Sequence, residues 1–138
     1  MERGIMLDRL KLLENNIVEL EDFKNKYTTE DIKTDKTKEW ALRYGLLETI
    51  QIVIDISCHI TAKFNLGNPK TYAECVELLK KHNYVDKRIE KQLIGMIGLR
   101  NVLVHEYIAV DIEKLYLLLH NIKDLKEFAE SIKDYLSD

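Results

Sequence analysis

The groups best suited to chemistry lie together in one short stretch of the chain. Within eight residues the sequence places Arg100, Asn101, His105 and Tyr107. Arginine carries a permanent positive charge and a fork of N–H donors that matches phosphate oxygens, and histidine takes or gives a proton near neutral pH. Together these groups suit the cleavage of a phosphodiester bond, a reaction for which they need no metal ion.

The spacing of these residues predicts where their side chains point. In a helix, with about 100° of rotation per residue, Arg100 and Tyr107 nearly eclipse, and Asn101 and His105 share a face. Arg100 and His105 are five positions apart and point away from each other on an ideal helix. They can converge if the helix ends or distorts nearby, or if a second copy of the motif faces the first. We therefore expect the site at a helix end on a dimer interface.

The motif Arg100-x4-His105-x-Tyr107, with Asn101 directly after the arginine, resembles the signature of the HEPN superfamily. It resembles more closely the HepT-like toxins, which pair with MntA-like nucleotidyltransferase antitoxins. The likeness extends over most of the chain, because it includes the length, the helical pattern and the place of the motif late in the penultimate long helix.

The resemblance implies the toxin of a type VII-like toxin–antitoxin pair, a metal-independent endoribonuclease whose site forms across a homodimer. It implies RNA as the substrate and a cognate MntA-like antitoxin as the partner, and no cofactor is expected. It also implies that Tyr107 accepts AMP from the antitoxin. The added phosphodiester would carry a negative charge close to Arg100 and inhibit the toxin.

In the expected mechanism, His105 is general base or acid at a ribose 2′-hydroxyl or at the leaving 5′-oxygen, and Arg100 stabilises the charge on the phosphorane. Asn101 orients a phosphate or His105, and the products are a 2′,3′-cyclic phosphate and a 5′-hydroxyl. The competing hypothesis is a non-catalytic helical interaction module, or a nucleotide-binding partner of a nucleotidyltransferase. Arg100 and Tyr107 would then only hold the dimer or bind the partner's nucleotide, or Tyr107 would be a half-buried packing residue.

Composition limits the other classes of function. The chain has 138 residues, 46% of them hydrophobic and 33% charged, with a net charge of −3. A negative net charge argues against a broad basic groove for nucleic acid, so any contact with RNA must be local or built by two subunits. The sequence contains no Gly-rich phosphate loop, CxxC, HExxH or GxSxG motif.

The sequence also predicts a cytoplasmic protein without a membrane partner. We find no signal peptide at the N-terminus and no apolar run of membrane-spanning length. Cys58 and Cys75 lie in helical patterns, and we interpret them as small buried apolar residues in a reducing cytosol rather than as a disulfide or a catalytic thiol.

Hydrophobic periodicity predicts an all-α fold, an up-and-down bundle of four long helices plus one short helix, in a single domain over residues 1–138. The resemblance implies that this bundle is HEPN-like and homodimeric. Helices are expected at about 5–26, 36–64, 71–82, 86–106 and 112–136, with a polar connection over 27–36. Residues 46–56 are apolar on more than one side. One face of the second helix should therefore enter the core and another meet a second subunit, with the dimer joined through the second and fourth helices.

A line of polar residues crosses this apolar helix. Glu48, Asp55 and His59 recur at seven and four positions along one edge. We favour a structural polar seam over a contribution to the dimer site. A metal site is the least favoured interpretation, since it would need a further carboxylate or histidine nearby.

Two smaller features carry expectations for the fourth and the short helix. Gly95 and Gly98 weaken their helix, at a cost of about 1 kcal/mol each against alanine. We favour close helix packing over room for substrate as the reason for them. In the short helix, Tyr72, Val76 and Leu79 should form the buried stripe.

Overall fold

The computed structural model describes residues 2–105 and 111–136, and within these ranges it is helical without a strand. The predicted all-α class is therefore confirmed. The helices are α1 Glu2–Lys26, α2 Thr29–Lys33, α3 Lys36–Lys63, α4 Tyr72–Lys81, α5 Lys87–His105, α6 Ile112–Leu118 and α7 Ile122–Leu136, with a 3₁₀ turn at Leu119–Asn121 between the last two.

The long helices pack around α3, which contacts α1, α4 and α5, while α7 contacts α1 and α5. Each of these helices contributes an apolar stripe to one continuous core. The predicted stripe of α1 is confirmed, since its members are at most 5% exposed: Met6, Leu10, Leu13, Ile17 and Leu20. Each fully buried aliphatic side chain of this kind contributes about 1.5–3 kcal/mol.

The predicted starts of the later helices are confirmed by their caps. Asp35 accepts a hydrogen bond from the backbone N–H of Thr37, Thr71 from that of Glu74, Asp86 from that of Ile89, and Asp111 from that of Glu113. These caps satisfy N–H groups that the helix itself leaves without partners. The boundaries of α3, α4 and α5 lie within one or two residues of those expected.

Two predicted elements differ from the structure. The connection over 27–36 contains the short helix α2, which a Thr28–Asp31 capping box begins and whose Ile32 is completely buried. The expected single helix over 112–136 is divided by the 3₁₀ turn. Because α6 packs against α2 whereas α7 packs against α1 and α5, the turn redirects the chain from one set of neighbours to the other.

The two cysteines are joined, so the prediction of two separate buried thiols is wrong. Cys58 on α3 and Cys75 on α4 form a disulfide with a Cα–Cα distance of 5.1 Å. That distance lies in the range that a disulfide spans. The pairing arises because α4 packs directly on α3 and places one cysteine opposite the other, which no local pattern in the sequence records.

The helix α3 corrects one further expectation. By length and composition it could cross a membrane, with a mean hydropathy of 1.2 in its most apolar stretch, so the prediction that no apolar run reaches this length is wrong. However, 56% of that stretch is buried inside the fold. The helix α3 therefore has the environment of a core helix, and a core helix can be as long and as apolar as a membrane span.

Candidate functional site

The last six residues of α5 carry the motif from Arg100 to His105. The helix is continuous through both residues, so on one chain they lie about 140° apart around its axis. Within one chain the two side chains therefore diverge as the spacing predicted. Residues 106–110 lie outside the described ranges, so a helix end at the motif stays a prediction.

Arg100 is half-buried and held from several directions. Its Nε donates to Oε1 of Gln51 at 3.1 Å, and its Nη1 donates to Oδ1 of Asn101 at 3.1 Å. Gln51 in turn donates through Nε2 to Oδ1 of Asp55 at 3.0 Å. The guanidinium carbon also lies 5.3 Å from the ring centroid of Tyr72, a cation–π contact. These contacts fix the guanidinium between α3 and α4.

This arrangement leaves Arg100 able to bind an anion. Among the described residues, its hydrogen bonds use two of the five N–H donors of an arginine. The other N–H groups can still form charge-assisted hydrogen bonds to phosphate oxygens. An arginine that is oriented before its ligand arrives loses less side-chain entropy on binding.

The face of α5 that carries Asn101 and His105 is open. Asn101, Val102 and His105 are exposed, and so is Gly98 on the same face. A Cβ added at Gly98 or Gly95 would meet nothing within 4 Å. The favoured explanation for these glycines, close packing within the bundle, is therefore wrong, and the open space is available to a substrate or a second subunit.

An apolar surface continues from this face onto α3. We name it the α3–α5 face and define it by Trp40, Tyr44, Leu47, Leu103 and Val104, which line two adjoining depressions. Trp40 is 61% exposed and Tyr44 is 65% exposed. The depression nearer the motif also includes Arg100, Gln51 and Asp55. The run over 46–56 does not supply this surface, because its members Leu46, Ile50, Ile52, Val53, Ile54 and Ile56 are at most 6% exposed within the single chain. The prediction that this run leaves a second apolar face open is therefore wrong, and the exposed face comes mainly from an earlier part of α3.

The polar seam on α3 is tied to its neighbours. Glu48 accepts a hydrogen bond from Nδ2 of Asn16 at 2.8 Å, and its bond with the hydroxyl of Tyr44 raises the pKa of that tyrosine. Asp55 holds Gln51. The buried Nε2 of His59 has no hydrogen-bond partner among the described residues. Residues 2–105 and 111–136 contain no cluster of His, Cys, Asp or Glu that could hold a metal ion.

A separate cleft of about 610 Å³ adjoins the motif between α4 and α5. It is lined by Cys58, Pro69, Lys70, Thr71, Tyr72, Ala73, Cys75, Ile97 and Asn101. Tyr72 is 43% exposed, so its expected place in the buried stripe of the short helix is wrong. Val76 and Leu79 are completely buried as expected. Tyr72 lies in the first turn of α4, beyond the part that packs into the core.

Sequence reasoning missed Gln51 and Tyr72 as neighbours of Arg100. A weak signal existed for Gln51, which is an amide within an otherwise apolar run, but no signal pointed to Tyr72. Tyr107 lies outside the described residues, and its role stays a prediction.

Comparisons with known proteins identify the family. The family model described as ribonuclease HepT-like matches residues 13–132. The chain is 30% identical over 135 residues to a tRNA nuclease HepT of Aphanizomenon flos-aquae, covering 96% of this chain and 84% of that protein. It is 28% identical over 102 residues to the mRNA nuclease HepT of Shewanella oneidensis, covering 73% and 77%.

Solved structures show the same fold. The tri-AMPylated HEPN toxin of Shewanella oneidensis, in complex with its MNT antitoxin, superposes with a TM-score of 0.85 at 24% identity, covering 94% of this chain and 97% of that one. YutE, a cytosolic protein of unknown function from Bacillus subtilis, gives a TM-score of 0.85 at 21% identity, covering 99% and 91%. The predicted resemblance is thereby confirmed, and this chain belongs to the HepT-like ribonuclease family of HEPN proteins.

Proposed function

We propose that this chain is the toxin of a type VII-like toxin–antitoxin pair and cleaves RNA without a metal ion. The observation that carries the proposal is Arg100, fixed by Gln51, Asn101 and Tyr72 at the end of α5 with N–H groups left for a phosphate. Membership of a ribonuclease family supports RNA as the substrate, and the nuclease relatives act on mRNA in one case and tRNA in the other.

In the proposed reaction, His105 takes the proton of a ribose 2′-hydroxyl, and the 2′-oxygen forms a bond to phosphorus. The N–H groups of Arg100 stabilise the charge on the phosphorane oxygens. The bond from phosphorus to the 5′-oxygen then breaks as that oxygen gains a proton from a histidine or from water. Asn101 orients Arg100 through the hydrogen bond between their side chains, and a 2′,3′-cyclic phosphate and a 5′-hydroxyl result.

Two copies of the chain supply the complete site in this proposal. Arg100 and His105 diverge on one continuous helix, so a second motif opposite the first brings an arginine and a histidine to one phosphate. The exposed α3–α5 face beside the motif supports this pairing, because aromatic side chains such as Trp40 and Tyr44 are enriched in protein interfaces. The open surface at Gly98 allows another backbone to approach.

Control by a nucleotidyltransferase completes the proposal. The related Shewanella toxin is AMPylated and bound to an MNT antitoxin, which supports a similar partner here and Tyr107 as the AMP acceptor. Tyr107 follows Arg100 by seven positions, so on a continued helix an attached phosphodiester would lie beside the guanidinium and occupy the place of RNA phosphate. A toxin that cleaves RNA and an antitoxin that supplies AMP would both act in the cytoplasm, and the likeness to a cytosolic protein supports the same location for this chain.

The test compares the purified wild-type chain with Arg100→Ala and His105→Ala on total RNA, with and without EDTA. Loss of acid–base help typically costs about 10²–10⁴-fold in rate. We expect His105→Ala to lose cleavage to this extent and Arg100→Ala to lose about 10²–10³-fold, as when one donor of an oxyanion hole is removed, both with thermal stability close to wild type. The RNA ends that the wild-type chain produces should carry 2′,3′-cyclic phosphate. His120→Ala is a matched control, since His120 is also exposed but lies near α1, away from the motif.

Several results would count against this function. Cleavage that stops with EDTA would exclude the metal-free reaction, and full activity in His105→Ala would remove the histidine from it. Wild-type protein that binds a neighbouring nucleotidyltransferase but cuts no RNA would favour the competing hypothesis of a non-catalytic interaction module.

A further inference from the structure

The cleft between α4 and α5 has the character of a ligand site. Its volume of about 610 Å³ falls within the range of about 300–1,000 Å³ that is common for small-molecule sites. Its apolar lining includes Pro69, Ala73, Ile97 and the Cys58–Cys75 disulfide, and its polar lining includes Lys70, Thr71 and Asn101. An apolar cleft with a few polar groups matches the surface of a nucleobase, which is a flat ring with polar edges.

The cleft adjoins the phosphate-binding arginine. Asn101 lines the cleft and also accepts a hydrogen bond from Arg100. Tyr72 lines the cleft, and its ring makes a cation–π contact with the guanidinium of Arg100. A group bound in the cleft would therefore be a direct neighbour of a phosphate bound by Arg100.

The charges around the cleft favour a polyanion. Lys70 lines it, Arg100 stands beside it, and none of its lining residues is acidic, although the chain as a whole has a net charge of −3. The nearby Glu74 belongs to the cap of α4. Its carboxylate accepts hydrogen bonds from the backbone N–H of Lys70 and the hydroxyl of Thr71.

Tyr72 provides an aromatic surface at this point. The residue is 43% exposed, although an aromatic residue on a helix that packs against the core is more commonly covered. Proteins that bind single-stranded RNA stack unpaired bases on exposed aromatic side chains.

We propose that this cleft binds a nucleobase next to the scissile phosphate, with Tyr72 as the stacking surface and Lys70 as a contact to the backbone. This inference rests on the proposed ribonuclease function and adds to it a base-binding subsite. The subsite positions the RNA strand relative to Arg100 and sets a preference for the base beside the cut.

The first test measures cleavage of a short RNA with one cleavage site. Since stacking on one aromatic side chain affects binding by about tenfold or more, Tyr72→Ala raises KM about tenfold, while Tyr72→Phe keeps the wild-type value. Lys70→Ala also raises KM. Lys80→Ala, at the far end of the same helix, is the matched control and leaves KM unchanged.

A second RNA lacks the base of the nucleotide beside the cut. Its KM shows whether Tyr72 stacks on that base or has a purely structural role. If the ring stacks on that base, the abasic RNA and Tyr72→Ala each raise KM, and their combination raises it no further. If the two effects multiply instead, Tyr72 acts only by positioning Arg100, and the subsite is excluded. An unchanged KM in Tyr72→Ala excludes it as well.

Photochemical cross-linking locates the base directly. An RNA with 5-iodouridine beside the cleavage site is bound to His105→Ala, which retains uncut RNA, and then irradiated. The expected cross-link maps to Tyr72, and cross-links confined to other peptides overturn the proposal. If the wild-type chain neither cleaves nor binds RNA, the proposed ribonuclease function itself is wrong. If it cleaves RNA but the Tyr72 variants and cross-links give the contrary results above, only the base-binding subsite is wrong.

Discussion

Arg100 illustrates how single residues prepare the site. Gln51 accepts a hydrogen bond from Nε of Arg100, and Asn101 accepts one from Nη1 of Arg100. Asp55 in turn accepts a hydrogen bond from the amide of Gln51. In the proposed reaction Gln51 is therefore a positioning residue, because it acts through the arginine. Hydrogen bonds to charged groups contribute about 1.5–3 kcal/mol when buried, and less is expected at this half-exposed position.

Gln51→Leu tests this positioning. The substitution removes the acceptor for Nε while it retains the apolar character of α3, so we expect cleavage to slow by about tenfold with little change in thermal stability. Steady-state kinetics and thermal unfolding measure the two effects. The control is Gln92→Leu, a half-buried glutamine on α5. Equal losses in both variants would contradict a specific role for Gln51.

Modification of Tyr107 is also tested at the residue scale. Co-expression with the neighbouring nucleotidyltransferase should add mass in multiples of AMP to the intact chain, and Tyr107→Phe should abolish the addition. Tyr72→Phe controls for the exposed tyrosine beside Arg100 and should remain modified. A modification that persists in Tyr107→Phe, or a chain that stays unmodified, would remove Tyr107 from the control mechanism.

At the scale of elements, α5 combines a buried face with an open one. Ile89, Leu93, Met96 and Ile97 anchor it in the core, while Gly98, Asn101 and His105 remain exposed. The core residues fix the position of the helix, and the open face allows ligands or another subunit to approach. The disulfide adds a covalent link between α3 and α4 beside this helix.

Gly98→Ala should separate stability from function. A Cβ at this position meets nothing within 4 Å, and alanine favours a helix over glycine by about 1 kcal/mol. We expect a higher melting temperature together with reduced cleavage, if this face must approach RNA or a second subunit. Thermal unfolding and RNA cleavage measure the two effects, with the equally open Gly95→Ala for comparison. A lower melting temperature would show that the open space is not available.

Reduction of the disulfide should destabilise the fold. The bond joins residues separated by 17 positions, and a closed loop of that length contributes about 3 kcal/mol in the chain-entropy model. A reductant should therefore lower the melting temperature of the wild type. The double variant Cys58→Ala, Cys75→Ala should not respond. An equal response in both proteins would mean that the bond contributes nothing to stability.

At the scale of the molecule, the bundle buries one continuous core and still exposes large apolar side chains on the α3–α5 face. Trp40 and Tyr44 stand next to the depression that contains Arg100. A pair of chains joined at this face would cover these rings and bring two motifs together. Assembly and catalysis would thus depend on the same surface.

A mass measurement in solution tests the assembly. We expect twice the chain mass of 16.3 kDa at micromolar concentration. Trp40→Asp should give monomers with intact helices and lower activity. Leu117→Asp is a matched control, because Leu117 and Trp40 are both 61% exposed and Leu117 lies on α6. A wild-type chain that remains monomeric would exclude both the dimer and the composite site.

The sequence by itself determined the bounds of α3, α4 and α5, the caps that begin them and the order of residues in the motif, whereas α2 and the turn at Leu119–Asn121 were missed. Helical periodicity and capping depend on residues three or four positions apart, such as Thr71 and Glu74, so they can be read along the chain. The divergence of Arg100 and His105 follows from the same local geometry. The family resemblance rested on this order of residues as well.

Only the tertiary structure decided which distant groups meet. The Arg100–Gln51 bond joins residues 49 positions apart, and the exposure of Tyr72, the burial of Ile32 and the Cys58–Cys75 bond depend on how helices pack. Packing selects one arrangement among many that satisfy the same apolar pattern. For this reason the order of residues in the motif was visible in the sequence, whereas the contacts that support Arg100 and the neighbouring cleft required the folded chain.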